Sequence, residues 1–297
     1  MKICIIGTKT NGATIELIKK QAEKIGEVDC IPIEEISLLI DNGISFTYKY
    51  NNITEYDAII FKVPKSKYSL AALIIEAIPE KVILLNSPRC FYSTCSKIPF
   101  YERLSHSGVN VPKSIFADNP QATLSGLKLL RFPVMIKVPT GKKKVMLANS
   151  EQEVKSMMDA LQVLKQPIIL EEYYPEAEVI QVFVLGNEII ASIKRKPESI
   201  NYLGGKLKET KINRKIENIA LDVTEIFNTE FARVDFLNTA EPTVIDINIC
   251  PNLYEASKIC NVDIAKKLVS YVKEKFDEKN HIPNIAENIK KAFRDVI

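Results

Sequence analysis

Between residues 2 and 86 the sequence alternates short apolar runs with stretches of helical period, and this alternation limits the fold more than any other feature. "KICIIG", "VDCIPI", "YDAIIFK" and "KVILLN" are rich in Ile and Val and too short for core helices. Residues 14–25 and 70–78 instead repeat their apolar positions every three to four residues. Strands separated by helices form a parallel sheet, because each helix carries the chain back before the next strand begins. Residues 7–12 lack the full G-x-G-x-x-G spacing, so the unit makes only a weak dinucleotide site. The pattern ends in a turn at 86–88.

From residue 90 the texture changes. A helix is expected through about 107, then a turn and extended exit at "GVNVPKS", then strands "VMIKV" and "VMLA" on either side of "PTGKKK". Ser150 and Glu153 form a capping box before a helix with Val154, Met157, Met158, Leu161 and Leu164 on one stripe. With "IILEE" this makes a small α+β lobe over roughly 115–172. Beyond it, "EVIQVFVL" and "EIIASIKR" alternate and meet at Gly186-Asn187, a hairpin signal. A helix over 216–227 precedes the strand pair "FARVDF" and "TVIDIN". After Asp263 a helix carries Ala265, Leu268, Val269, Val272 and Phe276 on one face, and polar "DEKNH" separates it from a last amphipathic helix near 285–296. The segments are 1–88, 89–172, 173–276 and 277–297.

Bulk properties remove several classes of function. With 46% apolar and 26% charged residues the chain reads as an ordinary globular protein, and a net charge of +3 gives no reason to expect nucleic acid. No apolar run is long enough to span a membrane, and "MKICIIG" is too short for a signal peptide. Six cysteines lack any C-x-x-C pair, and we expect reduced thiols in a cytoplasmic protein. The two histidines, His106 and His281, sit in no polar cluster, so a His-dependent triad is not expected. Chemistry is left to carboxylates, lysines, arginines and bound ions.

"VIDINICPN" holds the sharpest candidate. Strand parity turns Asp246 and Asn248 one way and Ile245, Ile247 and Ile249 the other. Residues 237–242 are short enough for an antiparallel hairpin. If Phe236 opposes Thr243, then Asp235 faces Val244, and Asp235, Asp246 and Asn248 share a face. Two close carboxylates repel unless a cation lies between them. Hard oxygen donors without His or Cys suit Mg²⁺. A plain solvated strand face is the other reading of the same pattern.

The ordered motifs resemble those of the ATP-grasp ligases, and within them the RimK-like glutamate ligases, over nearly the whole chain. The resemblance implies an α/β fold, with an N-terminal parallel α/β lobe followed by a two-lobed α+β ATP-grasp domain. "RVDF…VIDINICPNLYEA" implies Asp235, Asp246 and Asn248 as ligands of Mg²⁺ (or Mn²⁺). "NSPRCFYSTCSK…GVNVPKS" implies Lys97, and "FPVMIKV" implies Lys137, as nucleotide-binding lysines. "IILEEYY" resembles the hinge that holds adenine, implying Glu171, Glu172, Tyr173 and Tyr174, with Glu178 beyond it as a ribose acceptor. "VFVLGNEIIASIKR" implies Arg195 at the phosphoryl centre. The chain departs from the family where a glycine-rich phosphate loop is usual: it has only Gly141, followed by Lys142, Lys143 and Lys144. Ser96, Gln181, Asp246 and Asn252 also differ from the usual acid, arginine, glutamate and glycine.

The leading expectation is an ATP-dependent ligase that makes an amide through an acyl phosphate and releases ADP and phosphate. Its partners are a small-molecule or peptide carboxylate and an amine such as an amino acid, with no nucleic acid and no membrane; homo-oligomerisation is left open. The alternatives are an ATP-grasp kinase acting on a polyol such as an inositol phosphate, and a nucleotide-binding protein with little catalysis.

Overall fold

The computed structural model describes residues 1–9, 12–49, 51–138, 145–161 and 167–294, without the side chains of 51, 120 and 282–294. The expected lysine-rich loop at 141–144 and Leu164 lie outside the described residues. The fold is the expected α/β type, with one parallel sheet and several antiparallel ones. By packing, the chain forms two compact units: 1–95 with 228–232 and 249–297, and 96–227 with 233–248. The sequence segments above follow pattern, whereas these units follow contacts.

In the first unit the parallel sheet has the order β2-β1-β6-β7, from β1 (Lys2–Gly7), β2 (Glu27–Pro32), β6 (Ala58–Phe61) and β7 (Ile83–Leu85). Helices α1 (Ala13–Ala22) and α2 (Tyr68–Glu76) provide crossovers, as the alternation requires. The sequence reading passed over a small antiparallel sheet of β3 (Ser37–Ile40), β4 (Ile44–Tyr48) and β5 (Asn51–Asn52). Its signal was "DNG": Asn42 has φ 48 in the turn joining two apolar runs. Asn86 is buried rather than a surface turn. Its amide donates to the carbonyls of Phe231 (2.9 Å) and Ile249 (3.1 Å) and accepts from the N–H groups of Glu230 and Phe231, both at 2.8 Å.

Two expected helices differ. The helix through 90–107 is split into α3 (Pro88–Thr94) and α4 (Lys97–His106). Pro99 lacks an N–H and fits only the first turn of a helix, so a new helix starts just before it. After α7 (Arg214–Ile226) and α8 (Tyr254–Ile259), the last two expected helices are one, α9 (Ile264–Arg294). Asp, Glu, Lys and Asn in "DEKNH" are tolerated on a solvated helix and do not terminate it.

The second unit holds two antiparallel sheets. One has the order β10-β9-β11-β8, from β8 (Ser114–Ala117), β9 (Val134–Lys137), β10 (Val145–Ala148) and β11 (Ile168–Glu172). With α5 (Pro120–Leu127) and α6 (Glu151–Leu161) it encloses a core that includes Val134, Ile136, Ala148, Val154, Met158 and Leu170. Ser150 Oγ accepts from the Glu153 N–H at 3.2 Å, the first half of the expected capping box. The other sheet has the order β14-β13-β12-β15-β16, from β12 (Val179–Leu185), β13 (Glu188–Arg195), β14 (Lys208–Glu209), β15 (Phe231–Leu237) and β16 (Thr243–Asn248). The β12–β13 hairpin turns at Gly186, with φ 55. β12 is buried along its whole length rather than in alternation. Helix α7 packs against it, and an apolar cluster shared with the first sheet receives its Val179.

Candidate active site

Strand β9 presents different chemistry on its two faces. Val134 and Ile136 enter the small-lobe core, so Met135 and Lys137 share the opposite face. On β11, Ile169 lies opposite Lys137 and Glu171 opposite Met135, which puts Glu171 diagonally beside Lys137. The Lys137 ammonium meets the Glu171 carboxylate at 2.5 Å. Burial pushes the Lys137 ammonium below its ordinary pKa, and Glu171 pulls it part of the way back. Tyr101 Oη donates to the other oxygen of Glu171 at 2.9 Å, and burial, then Glu171, raises that phenol well above its usual range.

Helix α4 spaces Lys97 and Tyr101 four residues apart, on one face. Lys97 Nζ donates to Asp246 Oδ1 at 2.9 Å and to the Ile245 carbonyl. A continuous set of contacts therefore joins Asp246, Lys97, Tyr101, Glu171 and Lys137.

The β15–β16 ladder departs from the expected register by one residue at Phe236 and by two at Asp235. Asp235 lies opposite Asp246, not Val244, and Phe236 lies opposite Val244, not Thr243. Ile245 is the extra residue of a bulge. A bulge re-aims side chains locally, and here Ile245 joins the apolar cluster while Asp246 stays opposite Asp235. Directly opposed strand residues hold their Cβ atoms about 4.5–5.5 Å apart. Asp235, Asp246 and Asn248 thus share a face, although the register that first suggested it was wrong.

The sequence reading missed Arg233 on that same face. It lies opposite Asn248 and forks onto Asp235 with bonds of 2.6 and 2.7 Å. Its signal was the i, i+2 spacing within "RVD". Gln181 Nε2 stands 3.4 Å from both Asp235 oxygens. The expectation that the two aspartates repel each other without an ion is therefore corrected: Arg233 neutralises Asp235, and Lys97 neutralises Asp246. Among the described residues no group of three or more His, Cys, Asp and Glu side chains gathers to hold a metal. The donor set here is two carboxylates and an amide oxygen, which suits a hard cation that completes its shell with water and phosphate.

The other expected site residues are distributed as follows. Arg195 lies opposite Val179 and so shares its face, toward the apolar cluster. Glu172 accepts from the Arg131 N–H at 3.0 Å and from the Tyr174 hydroxyl at 3.3 Å. The Tyr173 N–H donates to the Pro133 carbonyl, and the Tyr174 N–H to the hydroxyl of Tyr202, both at 3.0 Å. Glu178 pairs with Lys194 at 3.0 Å, and Lys194 lies opposite Ile180 on the face away from Arg195.

Between the two sheets an apolar cluster that includes Met135, Val179, Leu237 and Ile245 adjoins the charged side chains of Lys97, Lys137 and the aspartates. Residues 95–272 match the RimK-like ATP-grasp domain. The chain belongs to that family. It is 24% identical over 298 residues to a probable alpha-L-glutamate ligase of Vibrio vulnificus (strain YJ016), covering 96% of this chain and 97% of that protein. It shares the fold of the ATP-grasp ligase PsnB complexed with minimal precursor: the TM-score is 0.73 at 13% identity, over 91% of this chain and 98% of PsnB. It also shares the fold of the macrocyclase MdnC of Microcystis aeruginosa MRC, bound with precursor peptide MdnA, at TM-score 0.72 and 14% identity over 92% and 100% of the two chains. Among the described residues of this RimK-like chain, no helix is long and apolar enough to cross a membrane.

Proposed function

We propose that this ATP-dependent ligase joins a carboxylate to an amine through an acyl phosphate, releasing ADP and phosphate. The observation that carries the reading is the arrangement between the two sheets of the second unit, an apolar cluster on one side and Lys97, Lys137, Asp235, Asp246 and Asn248 on the other. A nucleotide has the same division, a flat base at one end and phosphates at the other.

Lys137 and Lys97 place two ammonium groups where phosphate oxygens need neutralising. Arg195, on the same sheet face, stabilises charge on the transferring phosphoryl group. Asp235, Asp246 and Asn248 would hold Mg²⁺ or Mn²⁺, which supplies charge neutralisation and alignment of the phosphates. The hinge at Glu171–Tyr174 borders the base. The substrate carboxylate attacks the γ-phosphorus and ADP leaves; an amine then attacks the acyl carbon and phosphate leaves. No protein nucleophile is required, in keeping with a chain that has two histidines, neither in a polar cluster.

The acid and amine are amino-acid or peptide groups, with glutamate as the first amine to try. Support comes from relatives named glutamate ligases and from a fold shared with ligases complexed with precursor peptides. The test is ADP release with Mg²⁺ and ATP against a panel of amino acids, peptides and polyols, with product masses measured. An amide formed together with ADP and phosphate is expected. A phosphorylated alcohol would establish a kinase instead, and nucleotide binding without any product a non-catalytic protein.

A further inference from the structure

Tyr202 was not singled out by the sequence, yet it packs in the apolar cluster between the two sheets, where the proposed function puts the base. Its side chain is buried at 5% exposure, in a cluster with Met135, Ala177, Val179, Leu237 and Ile245. Its ring is tilted against that of Tyr173, with centroids 5.4 Å apart. Its hydroxyl accepts the Tyr174 N–H at 3.0 Å, a backbone donor of the hinge expected to hold adenine. A flat ring with a hydrogen-bond acceptor on its edge thus packs among apolar side chains beside a backbone donor.

The loop carrying Tyr202 is built to present that ring. Tyr202 itself has φ 58, a left-handed conformation uncommon for a bulky residue and costly unless the surroundings hold it. Ser199 braces the loop. Its hydroxyl donates to the Leu203 carbonyl at 2.8 Å and accepts the Leu203 N–H at 3.2 Å, and its carbonyl accepts the Tyr202 N–H at 3.0 Å. Gly204 and Gly205 follow with φ 77 and 78, and a Cβ at Gly205 would lie 2.0 Å from the Lys196 carbonyl oxygen.

We propose that Tyr202 is an internal occupant of the base pocket, competing with the nucleotide for the hinge N–H and the apolar slot, and so sets nucleotide affinity. The proposal rests on the reading that a nucleotide binds between these sheets. Binding then exchanges one ring for another: the Tyr174 N–H passes from the phenol oxygen to a ring nitrogen of the base. Apparent affinity is the intrinsic affinity multiplied by the fraction of open pocket, so a ring that is seated ten times as often as not weakens binding about tenfold.

The test is calorimetric titration of the full chain with ADP and Mg²⁺, comparing the unaltered protein with Tyr202→Ala, Tyr202→Phe and Lys137→Ala. Tyr202→Ala is expected to tighten ADP binding about tenfold, with Tyr202→Phe between it and the unaltered protein. Lys137→Ala is expected to weaken binding. Unchanged or weaker binding by both Tyr202 variants, with Lys137→Ala still weakened, overturns the internal occupant but keeps the nucleotide site. ADP binding absent from every protein overturns both. A second readout avoids any loss of folding in Tyr202→Ala: the chain has no tryptophan, so Tyr202→Trp reports on this position alone. Its emission should move to the red when ADP is added, and a maximum unmoved at saturating ADP overturns the proposal.

Discussion

Neutralising the two aspartates one at a time should separate what each does for the fold from what both do for metal. Asp235 forms a fork with Arg233 at 2.6 and 2.7 Å, with side chains 10% and 18% exposed. Asp246 meets Lys97 through one bond of 2.9 Å, with the side chains 28% and 25% exposed. Breaking a buried pair leaves an uncompensated charge and costs about 3–5 kcal/mol. Asn keeps one acceptor and Arg233 retains some solvent, so Asp235→Asn is expected to cost about 2–3 kcal/mol. For Asp246→Asn the cost is about 1 kcal/mol, because Lys97 keeps the Ile245 carbonyl and reaches water more easily. At about 2–4 °C per kcal/mol for a large domain, the melting temperature should fall about 4–12 °C for Asp235→Asn and about 2–4 °C for Asp246→Asn. Activity should not follow that order. Each change removes one candidate ligand, so both variants should lose the rise in melting temperature produced by Mg²⁺ with ATP, and ADP release should fall by roughly 10²–10³. The measurements are thermal melts of apo and Mg²⁺–ATP samples, with ADP release rates over a Mg²⁺ titration. Equal apo melts would refute the internal counter-ion argument, and normal Mg²⁺ dependence in either variant would refute the ligand assignment.

Lys137 also has a structural role, since it neutralises the fully buried Glu171. Lys137→Ala should weaken ATP binding and destabilise the fold by about 2–3 kcal/mol, while Lys137→Met combined with Glu171→Gln should recover stability and not affinity; denaturant melts and nucleotide titrations check this. Tyr101 controls part of the alkaline limb. Its folded pKa is raised by burial, so its contribution is complete below an unfolded value of about 10 and is lost as pH climbs through the folded value. Tyr101→Phe should therefore make the fall in melting temperature above about pH 10 shallower, and an unchanged slope would contradict the assignment. Asn86→Ala strips partners from two N–H groups and two carbonyls and should cost about 3 kcal/mol or more in urea melts.

The parts of the site legible in the sequence are those fixed by strand parity. Asp246 and Asn248 are two apart on β16, and a lone lysine among apolar neighbours marks β9; both follow from a period of two, whatever the rest of the chain does. Register is not fixed in this way. The bulge at Ile245 lets an isoleucine join the apolar cluster while the next residue stays opposite Asp235, and nothing in "VIDIN" records which ladder bond is skipped. Arg233 and Tyr101 were within reach, since both lie at same-face spacings from residues already singled out, two from Asp235 on a strand and four from Lys97 on a helix. Asn86 and Tyr202 were not. Their partners lie 145 and 163 residues away for Asn86 and 28 for Tyr202, and Tyr202 depends on a left-handed backbone that no periodicity signals. The resulting site has its cations seated before any ligand arrives: Arg233 on Asp235, Lys97 on Asp246 and Lys137 on Glu171. Under the proposed function, ligand binding is then an exchange of ion pairs. Asp235 and Asp246 would give up Arg233 and Lys97 to hold a metal, and the released Lys97 would meet phosphate oxygens. Such an exchange has little net electrostatic cost only when metal and nucleotide arrive together, so the two together should bind more tightly than the product of their separate affinities implies.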